Sequence, residues 1–453
     1  MREGSLESPI RHPIDWQDPN FTDEAAIDAE LRRVFDICHS CRRCFNLCDS
    51  FPRLFDLIDA TSSGELQEVP SADLKPVVDA CTLCDLCFMT KCPYVPPHQF
   101  DLDFPHLMLR YRAAAFKRGE VSFVNRQMTE TDRNGSLARP VAKLANWATD
   151  TANTVTRPLL EKAAGIHREA HLPKFNGRTL TLRAKTESVP VDRTAPAAGR
   201  KAVLYATCFA NYNNPSIGLA TQAVLARNGV ETEVLYPGCC GMPQLEQGDL
   251  ARVAANAIKV AGALEPWIDR GYDIIALVPS CALMMKFEWP LLVPRHAPEL
   301  AAVRKLAEAT FDVSEYVVSI AKREGLAPGL KPLDGGVTLH IACHARAQNM
   351  GQKAAEMLRL LPEPDVKVIE RCSGHGGSWG VLKENFPTAL KVGKPVAAQA
   401  VKNRKNFVAS ECPLAGAHIL QGMERIDEDK IIPAEARHPI ELFARAYGIT
   451  LAT

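Results

Sequence analysis

Cys38-His-Ser-Cys41-Arg-Arg-Cys44-Phe-Asn-Leu-Cys48 and Cys81-Thr-Leu-Cys84-Asp-Leu-Cys87-Phe-Met-Thr-Lys-Cys92-Pro93 are two runs of one kind. Each follows the bacterial C-x2-C-x2-C-x3-C-P spacing. The first has Asp49 where proline is usual, and the second has one extra residue before its last cysteine. Gaps of two residues let three thiolates converge on one face of an iron–sulfur cubane, and in two-cluster proteins the fourth cysteine crosses to the other cluster. The expected sets are Cys38, Cys41, Cys44 and Cys92 for one [4Fe–4S] cluster, and Cys81, Cys84, Cys87 and Cys48 for the other. Zinc needs only two quartets of any pairing, so the triple-cysteine runs argue against it. The 32 residues between Cys48 and Cys81, with helical flanks, favour an α-helical ferredoxin domain over a compact strand-rich one. Leu31, Val34, Phe35 and Cys38 recur at helical spacing, which puts the start of the first run on a helix. Arg42 and Arg43 either raise that cluster's potential by their charge or simply face solvent, as such arginines more often do.

The rest of the composition agrees with a large metal-binding chain. At 453 residues it exceeds one core, and 46% hydrophobic residues can fill two or three. Lys+Arg and Asp+Glu are equal at 53 each, so the basic excess needed for nucleic acid is missing. Fifteen cysteines with no export signal argue for metal sites over a disulfide framework and for a cytoplasmic protein. The longest apolar stretch, Ile274 to Met285, is 12 residues long and too short to span a bilayer, while peripheral attachment through a partner stays open. Between residues 11 and 30, six acids (Asp15, Asp18, Asp23, Glu24, Asp28 and Glu30) face a single base, Arg11, which reads as a solvated lead-in to a helix.

Residues 1–145 form the expected ferredoxin domain and 146–200 a proline-containing linker wrapped on the surface. Beyond it strands and helices alternate. Strands at Ala202–Ala206, Glu231–Tyr236 and Asp273–Val278 interleave with helices at Ser216–Arg227 and Leu250–Leu264. Strands at Val337–Ala342, Val366–Glu370 and Asn406–Ala409 interleave with helices at Gln352–Leu361 and Lys394–Lys402. Such alternation implies parallel sheets covered by helices. Aligning Cys208, Cys239 and Cys281 with Cys343, Cys372 and Cys412 gives offsets of 135, 133 and 131, the mark of a duplicated module with boundaries at 201–330 and 331–453. In each half a cysteine follows each of three strands, at the sheet edge where sites are built.

These residues carry a family pattern. Tyr236-Pro-Gly-Cys239-Cys240-Gly241-Met-Pro243, Pro279-Ser280-Cys281, Cys343-His344, Arg371-Cys372-Ser373-Gly374-His375-Gly-Gly377 and Ser410-Glu411-Cys412-Pro413 resemble the CCG domain of heterodisulfide reductase-type proteins. With the ferredoxin part, the resemblance spans nearly the whole chain. It is most similar to the group holding the iron–sulfur subunits of anaerobic glycerol-3-phosphate dehydrogenase and of glycolate oxidase, and the ending Arg437-His-Pro439-Ile-Glu-Leu442 fits that group.

The resemblance implies electron transfer between a flavin-containing dehydrogenase subunit, or another redox protein, and quinone or another acceptor. In the heterodisulfide reductase catalytic subunit, each CCG motif holds a noncubane cluster with five cysteines. Here Met284 stands for the second cysteine after Cys281, and Ser373 follows Cys372, so the halves offer four and three. Cys208, Cys239, Cys240 and Cys281 suffice for a further [4Fe–4S] cluster. Cys343, Cys372 and Cys412 need His344, His375 or Ser373 to complete a set; otherwise that half has lost its cluster or keeps an open iron. Gly374-His-Gly-Gly377 is built either for close backbone approach to a ligand or for a turn alone. The competing reading is an enzyme reducing a disulfide, persulfide or peroxide-linked partner at the C-terminal site. The missing fifth cysteines favour the relay. No G-x-G-x-x-G follows a strand, so a hydride acceptor must come from elsewhere.

Overall fold

Helix Glu24–Cys41 begins where the Asp23 side chain accepts the Ala26 N–H at 2.8 Å, and its Ile27, Leu31, Val34 and Phe35 face inward. In the computed structural model, which describes residues 9–187, 189–427, 429 and 432–450, this face packs with helix Ser50–Asp59 and helix Phe104–Lys117. Phe35, Phe51 and Phe104 meet there, with Phe51 and Phe104 ring centroids 4.7 Å apart. The N-terminal part is thus helical around the two cysteine runs. The start of the chain, Met1 to Glu7, on which the export reading rests, lies outside the described residues.

Two parallel sheets follow. The first has the order β2-β1-β3-β4, from β1 (Lys201–Tyr205), β2 (Glu231–Leu235), β3 (Asp273–Ala276) and β4 (Thr310–Asp312). The second has the order β6-β5-β7, from β5 (Val337–His340), β6 (Val366–Ile369) and β7 (Phe407–Ser410). Registers repeat between them: Ala202 pairs with Thr232 and Asp273, as Val337 pairs with Val366 and Phe407. The six expected strands are present, each ending within two residues of its expected bounds, and the strand–helix alternation holds in both halves. The unforeseen seventh, β4, runs straight on from helix Leu300–Ala309 and feeds helix Val313–Arg323 through an Asp312/Glu315 capping box. Among the described residues only the first module has this fourth strand.

The segment 146–200 carries helices Thr156–Ala164 and Leu180–Thr186. Its middle is held by His167 N–H on Val381 O (2.9 Å) and Asn176 N–H on Tyr212 O (2.7 Å). Arg157, 1% exposed, donates to the carbonyls of Arg168, His167 and Ala170 and fixes the turn between them.

Arg11 departs from its solvated reading. Its guanidinium is buried, bonding Asp85 at 2.8 Å, Asp103 at 2.8 Å and Glu288 at 2.8 Å, and lying 4.4 Å from the Phe88 ring centroid. His106 completes the group, 3.1 Å from Glu288. Glu288 belongs to the first sheet module and the others to the N-terminal part, so a desolvated ion network locks the two together. The acids Asp15, Asp18, Asp23 and Glu24 are exposed, as expected.

Candidate metal centres

The left-handed turn at Arg42 (φ 50°), the C-cap of helix Glu24–Cys41, brings Cys44 back toward Cys38 and Cys41. Burial pushes the Cys38 thiol well up, and Cys92, Cys44 and Cys41 add to it. Burial likewise pushes Cys44 up to about 12, with Cys92 and Cys41 contributing. For Cys48 the neighbours after burial are Cys84 and Cys81; for Cys87 they are Cys84, Cys81, Cys48 and Cys44. The structure therefore brings Cys92 to Cys38, Cys41 and Cys44, and Cys48 to Cys81, Cys84 and Cys87, with Cys44 and Cys87 joining the two groups.

The second run bends through two residues of positive φ, Leu83 (48°) and Asp85 (62°). Its extra residue is absorbed by a single π-helical turn, Cys87–Lys91, closed by the Cys92 N–H on Cys87 O at 2.8 Å.

In the first sheet module, Cys208 opens helix Cys208–Tyr212 after β1, Cys239 and Cys240 follow β2, and Cys281 lies in helix Pro279–Leu283 after β3. All four meet at the C-terminal edge of the sheet. Cys239 Sγ is 3.9 Å from Cys208 Sγ, and Cys281 Sγ is 3.2 Å from Cys240 Sγ. Hydrogen bonds from Cys208 and Cys240 hold Cys239 well below the usual thiol range. Its partners move well up, Cys208 and Cys240 by hydrogen bonding to Cys239 and by burial. Cys239 also accepts from Thr131 Oγ1 at 3.3 Å and Gly241 N–H at 3.5 Å. Asp132 accepts the Cys239 N–H at 3.2 Å and the Tyr236 hydroxyl, and Trp289 Nε1 donates to Cys240 O at 3.0 Å. Sequence reasoning missed Thr131, Asp132 and Trp289, which lie far from the cysteine motif in the chain. Met284, where a fifth cysteine would stand, is fully buried and opens a second π-turn, Met284–Glu288.

In the second module Cys343 opens helix Cys343–Arg346 after β5, Cys372 follows β6, and Cys412 caps helix Pro413–Met423 after β7. After burial, the groups that push the Cys343 thiol up are Cys84, Cys372 and Cys412. Burial pushes Cys84 up to about 12, with Cys372 next. The three thiols thus gather close to Cys84 of the second N-terminal run.

His344 is turned to other partners. Its Nδ1 meets Ser280 Oγ at 2.8 Å and its Nε2 meets Leu83 O at 3.4 Å. Both nitrogens are engaged, and the ring is a strut joining the three parts of the chain. His375 is different: its buried Nε2 has no partner among the described residues, and its ring lies 5.9 Å from that of His418. Burial, with His418 adding, pushes His375 down to about 3, so it is a neutral imidazole.

These residues fit iron–sulfur groups by a shared backbone device. The N–H two residues on is aimed at sulfur at Cys48 (from Ser50), Cys81 (Leu83), Cys84 (Leu86), Cys92 (Tyr94), Cys239 (Gly241), Cys372 (Gly374) and Cys412 (Leu414). Such donors stabilise sulfur as an anion, while neighbouring thiols hold one another neutral until a cationic core relieves their repulsion. Among the described residues no three His, Cys, Asp or Glu side chains surround one point as a single metal ion requires.

Residues 202–286 and 337–419 each match the CCG cysteine-rich domain. The chain carries two CCG domains. It is 26% identical over 328 residues to the C subunit of anaerobic glycerol-3-phosphate dehydrogenase of Escherichia coli (strain K12), covering 72% of this chain and 77% of that one. It is 25% identical over 319 residues to the D subunit of dihydromethanophenazine:CoB–CoM heterodisulfide reductase of Methanosarcina acetivorans, covering 65% and 71%. Lactate utilization protein A of Bacillus pumilus is 29% identical over 192 residues, 40% of this chain and 75% of that one. The CCG matches end at 286 and 419, so β4 and the Arg437–Leu442 ending lie beyond them.

Proposed function

We propose that the chain is an iron–sulfur electron-transfer subunit of an oxidoreductase, working between a flavin dehydrogenase partner and quinone or another acceptor. The observation that carries this reading is the continuity of the thiol groups. The Cys38 group adjoins the Cys48/Cys81 group through Cys44 and Cys87, and the latter adjoins the second CCG domain through Cys84, Cys343 and Cys372. Four cysteines per N-terminal group suit two [4Fe–4S] clusters, which supply one-electron transfer when bound. The protein's own residues hold the sulfurs, stabilise their negative charge through backbone N–H groups, and exclude water with an apolar shell that includes Leu83, Phe88 and Val95, each at most 5% exposed. In the first CCG domain Cys208, Cys239, Cys240 and Cys281 would hold a third group. Buried Met284 in place of a fifth cysteine favours relay over disulfide reduction. In the second CCG domain Cys343, Cys372 and Cys412 supply three thiols, and His375, whose buried Nε2 has no partner among the described residues, is a candidate to complete the set.

Anaerobic iron and sulfide quantitation with low-temperature EPR tests this. About twelve irons are expected, with one signal lost in Cys240→Ser and a different one in Cys84→Ser. Full iron content in Cys84→Ser and Cys41→Ser would sink the reading.

Among the described residues no helix is long and apolar enough to cross a membrane. Peripheral contact with a bilayer is supported by a surface feature. Leu137, Val141, Leu144, Trp147, Val155 and Leu159 are each 50% or more exposed along 131–164, with Arg133, Arg139, Lys143 and Lys162 exposed among them. Apolar side chains ringed by bases suit an anionic lipid surface.

A further inference from the structure

The glycine loop Gly374–Gly377 packs directly on the second cysteine run. A methyl group at Gly376 would lie 2.9 Å from Thr82 Cγ2, and one at Gly377 would lie 2.8 Å from a carboxylate oxygen of Glu246. Only glycine allows this approach, so the motif builds one wall of a space between the N-terminal part and the second CCG domain. That space is a cleft of about 530 Å3, within the range of small-molecule sites. Cys81, Thr82, Tyr111, Glu246 and Trp379 line it.

Three features limit what fits. The bases on its walls are engaged: Arg53 with Asp49, Lys75 with Asp79, and Arg112 with the carbonyls of Val78, Cys81 and Glu246. An anionic ligand therefore finds no unengaged cation among them. Burial pushes the Glu246 carboxyl up to about 7 against the pull of Arg112, so near neutral pH it is in part protonated and offers a neutral ligand a hydrogen-bond donor. Of the other carboxylates on the walls, Asp79 is paired with Lys75 and Glu120 with Arg118, and Glu384 is exposed. Tyr111 and Trp379 offer ring faces. The lining at Cys81 puts any occupant beside a cysteine of the second quartet.

We propose that this cleft binds a small, uncharged, planar ring bearing carbonyl oxygens, a quinone-type acceptor, with Glu246 as its hydrogen-bonding group and Trp379 on its ring. The proposal rests on the relay reading and gives its acceptor a place.

The test uses the full chain, purified anaerobically, with 2-methyl-1,4-naphthoquinone as probe and tryptophan fluorescence as readout, alongside iron and sulfide content. Saturable quenching is expected. Trp379→Phe should remove most of the quenching, and Glu246→Leu should weaken Kd about ten-fold while Glu246→Gln stays within about three-fold, as loss of one buried hydrogen bond predicts. Iron content should be unchanged in all three. Full iron content with quenching indifferent to Glu246→Leu and Trp379→Phe overturns the cleft alone. Saturable binding of lactate with no binding of the naphthoquinone overturns the ligand class. Iron content short of the N-terminal clusters in the parent protein overturns the relay reading, and this proposal with it.

Discussion

Arg11 shows how much one side chain can decide. Three carboxylates and His106 are buried around it, and removing the one permanent cation leaves Asp85, Asp103 and Glu288 facing one another. Arg11→Met is expected to cost about 3–5 kcal/mol, as breaking buried ion pairs does, and to lower the first thermal unfolding transition. The pH dependence follows from its neighbours. For His106, burial and Arg11 lower the pKa, but Asp103 and Glu288 raise it further, so the net shift is upward. Its stabilisation is complete below the ordinary histidine value of about 6.5 and is lost as pH rises through the raised one. Asp103 and Glu288 are shifted down: burial opposes this, but Arg11 and His106 prevail. Their contribution is present above the ordinary carboxylate range and is lost as pH falls through the lowered values. Melting curves should therefore show the network strongest at mildly acidic pH in the parent, a dependence that Arg11→Met weakens. None of this was legible in the sequence, because the partners of Arg11 lie 74, 92 and 277 residues away.

At the scale of elements, periodicity and cysteine spacing located the strands and helices of both CCG domains, since each strand is a short apolar run closed by a cysteine. β4 escaped because it is three residues long and follows a helix without a turn. The Asp312-Val-Ser-Glu315 capping box just after it was the signal that could have found it. The helix Phe386–Asn403 shows a second kind of constraint. A methyl group on its Gly393 would lie 2.3 Å from Ser373 O, beside Cys372, whereas one on Gly262 in helix Leu250–Ile268 meets nothing within 4 Å. Gly393→Ala should destabilise by about 1–3 kcal/mol through overpacking. Gly262→Ala should stabilise by about 0.5–1 kcal/mol through helix propensity, and urea unfolding of the pair distinguishes the two effects.

For the whole molecule, the sequence predicted which cysteines would gather within each half but not how the gatherings meet. The nearness of Cys84 to Cys343 and Cys372, and the bracing of three parts by His344, are products of domain packing that spacing rules do not encode. The partners of His344, Ser280 and Leu83, lie far away in the chain and were equally hidden from spacing rules. The exposed apolar row along 131–164 also belongs to this scale. Replacing Leu144 and Trp147 together by Asp should reduce binding to phosphatidylglycerol vesicles at least about ten-fold, from the apolar burial lost. Flotation checks this, and unchanged flotation would remove the membrane surface from the proposal.

The pairing of Arg11 with Glu288 also orders events at the ribosome. With 277 residues between them, translation at the usual 5–20 residues per second separates their emergence by about 14–55 s. In the later part of that interval, once Cys92 has emerged, both N-terminal cysteine runs are outside the exit tunnel while the residue that closes their domain has yet to be made. A nascent chain stalled before Glu288 should therefore be more readily cleaved by protease within the first hundred residues than one stalled after it, and cluster insertion has that window in which to occur.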